Sequence, residues 1–235
     1  MRTLLCADLA EGRLLLDAAE SHHLLHVLRA TPGTALRLGD GQGRQADAHL
    51  VGVRDHRAEL EVGPVNLAPP PPARIVLLGA PKPALVEEAA TLATEAGATA
   101  LWIVASQRAH PGNVRLERLE RVLDTAVKQC RRPTRPTLAT FPSLPAALGA
   151  LDALPEAGTL ARFVAHPGGD GPPRQGGAAG AALAIGPEGG WDPAELAALQ
   201  GAGFQPLGLG PHILRAPTAV VAGLTALAVG RLSGW

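Results

Sequence analysis

The sequence has no tyrosine and only three phenylalanines and three tryptophans, so aromatic residues make up 3% of the chain. Proteins that bind single-stranded nucleic acid by stacking need several aromatic side chains to hold successive bases. This composition therefore argues against extensive base stacking. Cysteine is also scarce: Cys6 and Cys130 lie far apart and belong to no CxxC pair. The sequence thus indicates neither a disulfide framework nor a cysteine-based zinc site, and it suits a reducing compartment.

Lysine is nearly absent, since Lys82 and Lys128 are the only two, and 21 basic residues balance 21 acidic residues. A zero net charge does not support a general electrostatic attraction to nucleic acid, although it leaves room for a local basic patch. The amino-terminal residues show no signal pattern, and the longest apolar run, Ala216 to Val229, is too short to span a bilayer. We therefore predict a soluble, cytoplasmic protein.

Four consecutive prolines, Pro69 to Pro72, form a stiff segment that predicts an interdomain linker. Residues 1–68 before it contain short strand-like runs separated by turns, together with one helix that we expect to begin at Ser21 as its N-cap. This pattern predicts a small β-barrel-like domain. The expected strands are Arg13–Leu16, Ala35–Leu38, Gln45–Val53 and Ala58–Val62.

Residues 74–235 show strands that alternate with helices, which predicts an α/β domain with a parallel sheet covered on both faces. A glycine- and proline-rich stretch, Pro167 to Gly180, predicts a long loop. The expected strands are Arg74–Leu78, Ala100–Val104, Leu160–Val164 and Ala181–Ile185. The expected helices are Ala84–Ala96, Val114–Cys130, Asp192–Ala202 and Pro217–Leu232.

The strongest local motif is Ala-Ile-Gly-Pro-Glu-Gly-Gly-Trp-Asp-Pro-Ala-Glu, residues 184–195. An apolar strand leads into three glycines, and Asp192 and Glu195 are spaced as a capping box at the start of a helix. Glycines allow backbone amides to approach a ligand, and such loops at the carboxyl ends of parallel strands bind ligands. The loop lacks a Walker lysine, and Glu188, a carboxylate we expect to be buried, favours an amine-bearing or cationic ligand. The alternative is a plain strand-to-helix turn.

A second motif, Leu-Gly-Leu-Gly-Pro-His-Ile-Leu-Arg-Ala-Pro-Thr-Ala, covers residues 207–219 and again joins a short strand to a helix. Arg215 lies at the helix start, where its charge opposes the helix dipole. Because nothing structural favours a cation there, the position indicates a functional anion nearby. The alternative is a solvated arginine on a surface turn.

The basic stretch Lys128, Arg131, Arg132 and Arg135 places four cations in eight residues without an acid. Contact with an RNA backbone is one interpretation, and the favourable decoration of a helix C-terminus is the other. Arg29, Arg37 and Arg44 could add a basic face to the amino-terminal domain. His22, His23 and His26 have no acid or cysteine nearby to complete a ligand set, so we predict no metal site.

Taken in order, the motifs resemble those of the RsmE-type ribosomal RNA uridine-N3 methyltransferases, over the whole chain. The two strongest matches are the loops Ile185–Gly190 and Leu209–Arg215. The remaining matches are His23–Arg29, Lys82, Glu95-Ala96-Gly97, Arg108, Gln129 with Arg132, and His166-Pro167. The sequence departs from the family pattern at Leu92, at Lys128 and at Ala216-Pro217, where a carboxylate is usual. These departures concern substrate contacts more than the glycine loops.

The resemblance implies an amino-terminal PUA-like β-barrel, residues 1–68, followed by a SPOUT α/β domain with a deep trefoil knot, residues 74–235. It further implies S-adenosylmethionine as cofactor, a homodimer formed through the knotted domain, and small-subunit ribosomal RNA, as the assembled 30S particle, as substrate. The implied reaction is methylation of N3 of a uridine. A catalytically weakened RNA-binding assembly factor of the same fold is the alternative, motivated by the missing carboxylate. Another α/β nucleotide-dependent enzyme is disfavoured by the absent phosphate motif.

Carried over position by position, the resemblance also assigns site residues. The expected cofactor-binding residues are His166, Pro167, Ile185, Gly186, Pro187, Glu188, Gly189, Leu209, Gly210, Ile213 and Leu214. The expected RNA-binding residues are Arg29, Lys82, Arg108, Arg131, Arg132 and Arg135. Arg215 is the candidate catalytic residue, because a uracil that loses its N3 proton develops negative charge on its flanking oxygens. No residue is assigned as a general base.

Overall fold

A computed structural model describes residues 2–109, 114–170 and 180–229. The chain divides into two compact units. The first unit is made of two segments, Met1–Pro70 and Asp124–Arg135. The second unit takes Pro71–Leu123 and Pro136–Trp235. Within the described part of the chain, no helix is both long and apolar enough to cross a membrane.

The first unit is built on a six-stranded sheet with the strand order β1-β3-β4-β5-β2, in which β6 pairs with β4. Strands β1 and β3 run parallel, and the other pairs are antiparallel. Buried leucines such as Leu38, Leu50 and Leu60 form its core because alternate residues of a strand point to the same face. The strands are β1 (Arg2–Leu5), β2 (Gly12–Leu15), β3 (Ala35–Gly39), β4 (Arg44–Arg54), β5 (Arg57–Val62) and β6 (Asn66–Leu67).

The helix of the first unit begins earlier than the sequence predicts. Helix α1 (Ala18–His22) has Asp17 as its N-cap, whose side chain accepts a hydrogen bond from Glu20 N at 2.8 Å. Ser21 lies inside the helix instead, so its predicted role as N-cap is wrong. Its buried hydroxyl donates to Leu16 O at 3.2 Å and accepts from Ala58 N at 3.0 Å. A π-helical turn, His23–Val27, continues α1.

The segment Asp124–Arg135 belongs to the first unit although more than fifty residues separate it from the first segment. Two backbone hydrogen bonds anchor it to the turn before β4, from Gly43 N to Pro133 O at 3.0 Å and from Arg135 N to Gly41 O at 2.7 Å. Lys128 Nζ lies 2.7 Å from Glu20 Oε1, and both side chains are largely buried. This segment therefore completes the first unit.

The second unit contains a six-stranded, all-parallel sheet with the order β12-β10-β11-β7-β8-β9. The strands are β7 (Ala73–Gly79), β8 (Ala100–Val104), β9 (Thr137–Phe141), β10 (Leu160–Asp170), β11 (Gly180–Ile185) and β12 (Gln205–Leu207). The helices between and after them are α2 (Pro83–Glu95), α3 (Leu116–Cys130), α4 (Leu144–Asp152), α5 (Pro193–Gly201) and α6 (Ala216–Val229). A 3-10 turn, Ala157–Thr159, precedes β10.

Helices cover both faces of this sheet, as the alternation of strands and helices predicts. Helices α2, α3 and α6 pack on one face, and α4 and α5 pack on the other. Strand β11 lies near the middle and is buried along its whole length. Gly223 of α6 allows the close approach to this strand, because a Cβ at that position would lie 2.6 Å from Cδ2 of Leu183.

Several elements of the second unit differ from the sequence-based prediction. Strand β9 and helix α4 were not predicted, because Thr137–Phe141 is only partly buried and lacks a continuous apolar run. Strand β10 continues to Asp170, so the predicted loop cannot begin at Pro167. The remainder of that loop, residues 171–179, and the predicted end of the last helix at Leu232 lie outside the described residues.

Candidate active site

A cavity of about 480 Å³ opens at the carboxyl end of the sheet in the second unit. Its walls come from the carboxyl-terminal half of β10 and from the segments that follow β11 and β12, three strands whose carboxyl ends meet at one edge. The crevice at this edge is the usual ligand site of an open parallel sheet. All twelve residues predicted from sequence to bind the cofactor or act in catalysis line this cavity: His166, Pro167, Ile185, Gly186, Pro187, Glu188, Gly189, Leu209, Gly210, Ile213, Leu214 and Arg215.

The loop after β11 owes its shape to its glycines and to one contact beneath it. Gly190 adopts a φ of 69° and donates from its N–H to Pro187 O at 2.8 Å, which closes a tight turn. Pro187 packs directly over Gly79 at the end of β7, where a Cβ would lie 2.8 Å from Cδ of Pro187. The turn therefore lies close against the sheet edge, with backbone atoms at the cavity wall.

Helix α5 starts immediately after this loop, and its cap is the one that the sequence predicts. Asp192 Oδ1 accepts from Glu195 N at 2.7 Å, while Glu195 Oε2 accepts from Asp192 N at 2.9 Å. This reciprocal pair is a capping box, and it fixes the direction in which the chain leaves the loop.

The carboxylates of this region are arranged differently from the prediction. Glu188 is exposed, so the expectation of a buried carboxylate in the glycine loop is wrong. The buried acid is Glu195, with 8% of its surface exposed. Its second oxygen, Oε1, accepts a hydrogen bond from Gln107 N at 2.9 Å, a residue in the segment after β8. Sequence spacing indicates the capping role of Glu195 but gives no sign of this long-range contact.

The end of β10 and the segment after β12 approach each other closely. Gly208 N donates to Asp170 O at 2.5 Å, and a Cβ on Gly208 would lie only 2.3 Å from Gly169 O. A side chain is therefore excluded at Gly208, whereas Gly210 adopts a φ of 123°, which favours glycine for a different reason. His166 lies at the rim, where its Nδ1 accepts from Gly168 N at 3.1 Å.

Arg215 occupies the last position before α6, at the cavity rim. Its Nη2 lies 2.9 Å from Glu88 Oε2 on α2, so the expectation that nothing structural favours a cation there is wrong. The pair is open to solvent, with 64% and 44% of the two side chains exposed. Such a pair contributes little to stability. The guanidinium is thus oriented by Glu88 and remains accessible from the cavity side.

Arg108 also lies at the rim, on the segment after β8. Its Nη1 donates to Gly189 O at 2.7 Å, which places a second cation beside the glycine loop. The sequence assigns Arg108 to RNA contact, and the structure brings it to the candidate cofactor cavity as well. Lys82, the other RNA candidate of the second unit, is exposed at the N-terminus of α2.

The remaining RNA candidates belong to the first unit. Arg29 and Arg131 are exposed and adopt positive φ values of 52° and 59°. Arg135 is exposed and forms an ion pair with Asp124 at 3.1 Å. Arg132 is partly buried, and this burial lowers the pKa of its guanidinium below the ordinary value. Burial makes Arg132 less available to phosphate than its neighbours.

Two of the three barrel arginines considered for a basic face have partners in the structure. Arg37 donates to Asp47 Oδ1 at 2.8 Å, and Arg44 donates to Leu9 O at 2.8 Å. The rings of His22 and His26 are in contact, with centroids 4.9 Å apart and planes tilted by 41°. Among the described residues, no group of three or more His, Cys, Asp or Glu side chains is placed to hold a metal ion.

Comparison with known proteins agrees with the resemblance seen in the sequence. Residues 69–228 match the model of an RNA methyltransferase domain, and residues 16–63 match that of an RNA methyltransferase PUA domain. The ribosomal RNA small subunit methyltransferase E of Mycobacterium bovis is 35% identical over 229 residues, which are 92% of this chain and 86% of that protein. The Synechocystis protein of the same name is 32% identical, over 94% of this chain and 75% of that protein.

The fold is also shared with solved structures. The Neisseria gonorrhoeae ribosomal RNA small subunit methyltransferase E, crystallised with S-adenosyl methionine, superposes with a TM-score of 0.82 and 28% identity, over 97% of this chain and 96% of that one. A probable rRNA methyltransferase from Porphyromonas gingivalis gives a TM-score of 0.81 and 25% identity, with 95% of each chain covered. The expected fold class, a PUA-like domain followed by a SPOUT α/β domain, is confirmed. The chain belongs to the ribosomal RNA small subunit methyltransferase E family of RNA methyltransferases.

Proposed function

We propose that this protein binds S-adenosylmethionine in the cavity at the carboxyl end of the second sheet and methylates N3 of a uridine in small-subunit ribosomal RNA, in the cytoplasm. One observation supports the proposal most strongly. The two glycine motifs, residues 184–195 and 207–219, together line a single cavity of about 480 Å³, and two arginines flank it. Pockets for small-molecule cofactors have volumes of roughly 300–1,000 Å³.

The lining residues fit this cofactor better than they fit a nucleotide phosphate. Ile185, Leu209 and Leu214 offer apolar surface to an adenine ring, and the glycines expose backbone N–H and C=O groups to its polar edge. The loop Ile185–Gly190 has no cation of its own to hold a phosphate and carries the carboxylate of Glu188, which would repel one, while Arg108 and Arg215 come from other segments at the rim. The same carboxylate suits the amino group of a methionyl moiety, so we assign Glu188 to that group.

The bound cofactor would supply an electrophilic sulfonium methyl group for in-line displacement. The protein must hold the uracil N3 in line with it and stabilise the negative charge that spreads to the flanking carbonyl oxygens. The position of Arg215 supports this role, because the residue lines the cavity and 64% of its side chain is exposed. A planar guanidinium can donate two parallel hydrogen bonds to an oxyanion.

RNA would be held through its backbone by exposed cations of both units, for which Arg29, Lys82, Arg131 and Arg135 are the candidates. Contacts of this kind position the RNA without reading its sequence. We further infer that the second unit forms a homodimer and that the assembled 30S particle is the substrate. An exposed apolar side chain at the cavity rim, Ile213 with 88% of its surface accessible, is suited to cover by a second copy or by substrate.

Calorimetry with S-adenosylhomocysteine, ATP and NAD tests the cofactor assignment directly. We expect binding of S-adenosylhomocysteine alone, with an increase in the unfolding temperature because the ligand binds the native state. Equal binding of ATP or NAD would overturn the assignment. Sedimentation velocity on the same samples tests the dimer.

The reaction is tested by incubating the protein and S-adenosylmethionine with 30S particles, or with free 16S RNA, from a strain that lacks the endogenous enzyme. We expect one added methyl group, located by mass mapping, on N3 of a single uridine in the particle and less on free RNA. Cofactor and particle binding without any transfer would identify the protein as an RNA-binding assembly factor instead.

A further inference from the structure

Two segments that follow non-adjacent strands are joined at the cavity rim. The segment Ser106–Ala109 follows β8, and the glycine loop with the start of α5 follows β11, while β7 lies between these strands in the sheet. Two hydrogen bonds connect them across β7. Gln107 N donates to Glu195 Oε1 at 2.9 Å, and Arg108 Nη1 donates to Gly189 O at 2.7 Å.

The space above β7 is open for this connection because that strand ends in Gly79. A side chain there would collide with Pro187, so the loop after β11 lies directly over the strand end and reaches the β8 segment. Glu195 is buried, with 8% of its surface exposed. Each of its carboxylate oxygens accepts a hydrogen bond from a backbone N–H group, Oε1 from Gln107 and Oε2 from Asp192. Charge-assisted hydrogen bonds of a buried carboxylate are strong, and losing one leaves a donor unsatisfied.

We propose that Glu195 is a positioning residue for methyl transfer: by bonding to Gln107 N it holds the β8 segment against the glycine loop and so fixes Arg108 at the cavity rim. The inference rests on the proposed function of the cavity. Arg108 is exposed and has five N–H donors, of which the contact with Gly189 uses one. Because Arg108 lines the cavity, its remaining donors would be available to an anionic group of the bound substrate. Without the Glu195 bond, the arginine would lose its fixed position, and misplacement of about 1 Å commonly lowers a rate severely.

The capping box provides a matched control. Asp192→Ala removes the hydrogen bond from Glu195 N to Asp192 Oδ1 but leaves both acceptor bonds of the Glu195 carboxylate. Glu195→Gln keeps the size of the side chain but offers one acceptor oxygen where two N–H donors converge. Both variants weaken the start of α5, so we expect similar decreases in unfolding temperature. Only Glu195→Gln should accelerate hydrogen exchange at the Gln107 amide.

The decisive experiment is a double-mutant cycle in single-turnover methylation, with Glu195→Gln, Arg108→Met and the double variant. We expect Glu195→Gln to lower the rate about tenfold or more in the presence of Arg108 and less than twofold in the Arg108→Met background, with Asp192→Ala near the unmutated rate. If the rate losses of the two single variants multiply in the double variant, Glu195 and Arg108 act independently. That result, or a rate loss in Asp192→Ala equal to that in Glu195→Gln, would show that Glu195 only caps the helix.

Native-state hydrogen exchange of the unmutated protein supplies a readout that does not need activity or a folded variant. The Gln107 amide is in an exposed segment, so its protection depends on the bond to Glu195. Exchange of this amide at the rate of an open loop would overturn the inference even if the methyltransferase activity is present. Conversely, a protected amide in a protein that binds no S-adenosylhomocysteine would overturn the proposed function and leave the connection of the two segments intact.

Discussion

The guanidinium of Arg215, just before α6, lies 2.9 Å from the carboxylate of Glu88 on α2, and the chain separates the two residues by 127 positions. Because both side chains are substantially exposed, the pair adds little to the free energy of folding. Its effect is geometric. Glu88 limits the rotamers of Arg215 at the mouth of the cavity, where the uracil would enter.

Arg215→Ala should therefore lower the single-turnover methylation rate by roughly a hundredfold or more, the usual effect of losing one preorganised electrostatic contact. Arg215→Lys should restore only part of the rate, because an ammonium cannot reproduce the planar donor pair. Affinity for S-adenosylhomocysteine, measured by calorimetry, should remain close to that of the unmutated protein. Glu88→Gln should have a smaller effect on the rate, since Arg215 itself is retained.

Two outcomes would contradict this role of Arg215. A large loss of cofactor affinity in Arg215→Ala would place the guanidinium in cofactor binding. Weaker RNA binding with an unchanged single-turnover rate would make it a phosphate contact. Glu87→Gln is the matched control for Glu88→Gln, because the neighbouring Glu87 pairs with Arg118 at 2.5 Å instead of with Arg215.

Gly189→Val should weaken binding of S-adenosylhomocysteine sharply while the fold stays intact. A Cβ at Gly189 would be 3.5 Å from the side chain of Arg108, an ordinary contact, and the residue has no positive φ. The branched side chain would instead enter the cavity that Gly189 lines. Gly201→Val is the control, because Gly201 has open space around it and lies away from the cavity. Equal affinities of the two variants in calorimetry would show that the cavity is not the cofactor site.

Arg131→Ala with Arg135→Ala should weaken RNA binding and flatten its dependence on salt, since fewer counterions are released from the RNA. Each lost phosphate contact should reduce the slope of log affinity against log salt by about 0.7 for single-stranded RNA. Arg132 is left unchanged because its burial would confound a loss of binding with a loss of stability. Arg13→Ala, which breaks an exposed pair with Glu61, is the control. An unchanged slope would show that Arg131 and Arg135 do not contact RNA phosphates and would leave them as cations that stabilise the helix C-terminus.

Gly79→Ala should destabilise the protein by about 1–3 kcal/mol, the usual cost of overpacking. The added methyl group would lie 2.8 Å from Cδ of Pro187 and 3.0 Å from the ring of Trp191, so the glycine loop must move. Cofactor affinity should fall with stability. Gly149→Ala on α4 is the control, since nothing lies within 4 Å of its added Cβ, and it should be neutral or stabilising by roughly 0.5–1 kcal/mol. Thermal unfolding with and without S-adenosylhomocysteine measures both effects.

The sequence predicts the elements of the site better than their connections. Each glycine motif can be recognised from the local spacing of its residues, because a strand, a tight turn and a capped helix all depend on neighbouring residues. The contacts Glu88–Arg215 and Glu195–Gln107 depend on which strands are adjacent, and the chain separates these partners by 127 and 88 residues. A single sequence contains no signal for such pairs. Glu188, on the other hand, was expected to be buried only because it lies among glycines.

The start of α1 shows a second limit of local reasoning. Asp17 and Ser21 are both good N-cap residues, and the choice between them depends on tertiary contacts. The buried hydroxyl of Ser21 satisfies Ala58 N on β5, so the helix begins one turn earlier and Asp17 takes the cap. The helix period of the sequence could indicate that a helix exists there but not where it starts.

The first unit consists of two separate segments of the chain, and this affects how the unit can form during synthesis. Its sheet comes from the first seventy residues, yet the carbonyl of Gly41, the N–H of Gly43 and the carboxylate of Glu20 pair with residues 124–135. During synthesis, these groups stay without those partners until the ribosome has added Arg135, by which time β7 and β8 have already been translated. The amino-terminal unit therefore cannot complete these contacts until part of its neighbour has been synthesised. A fragment cut at the proline run should accordingly be less stable than the same sheet in the whole chain.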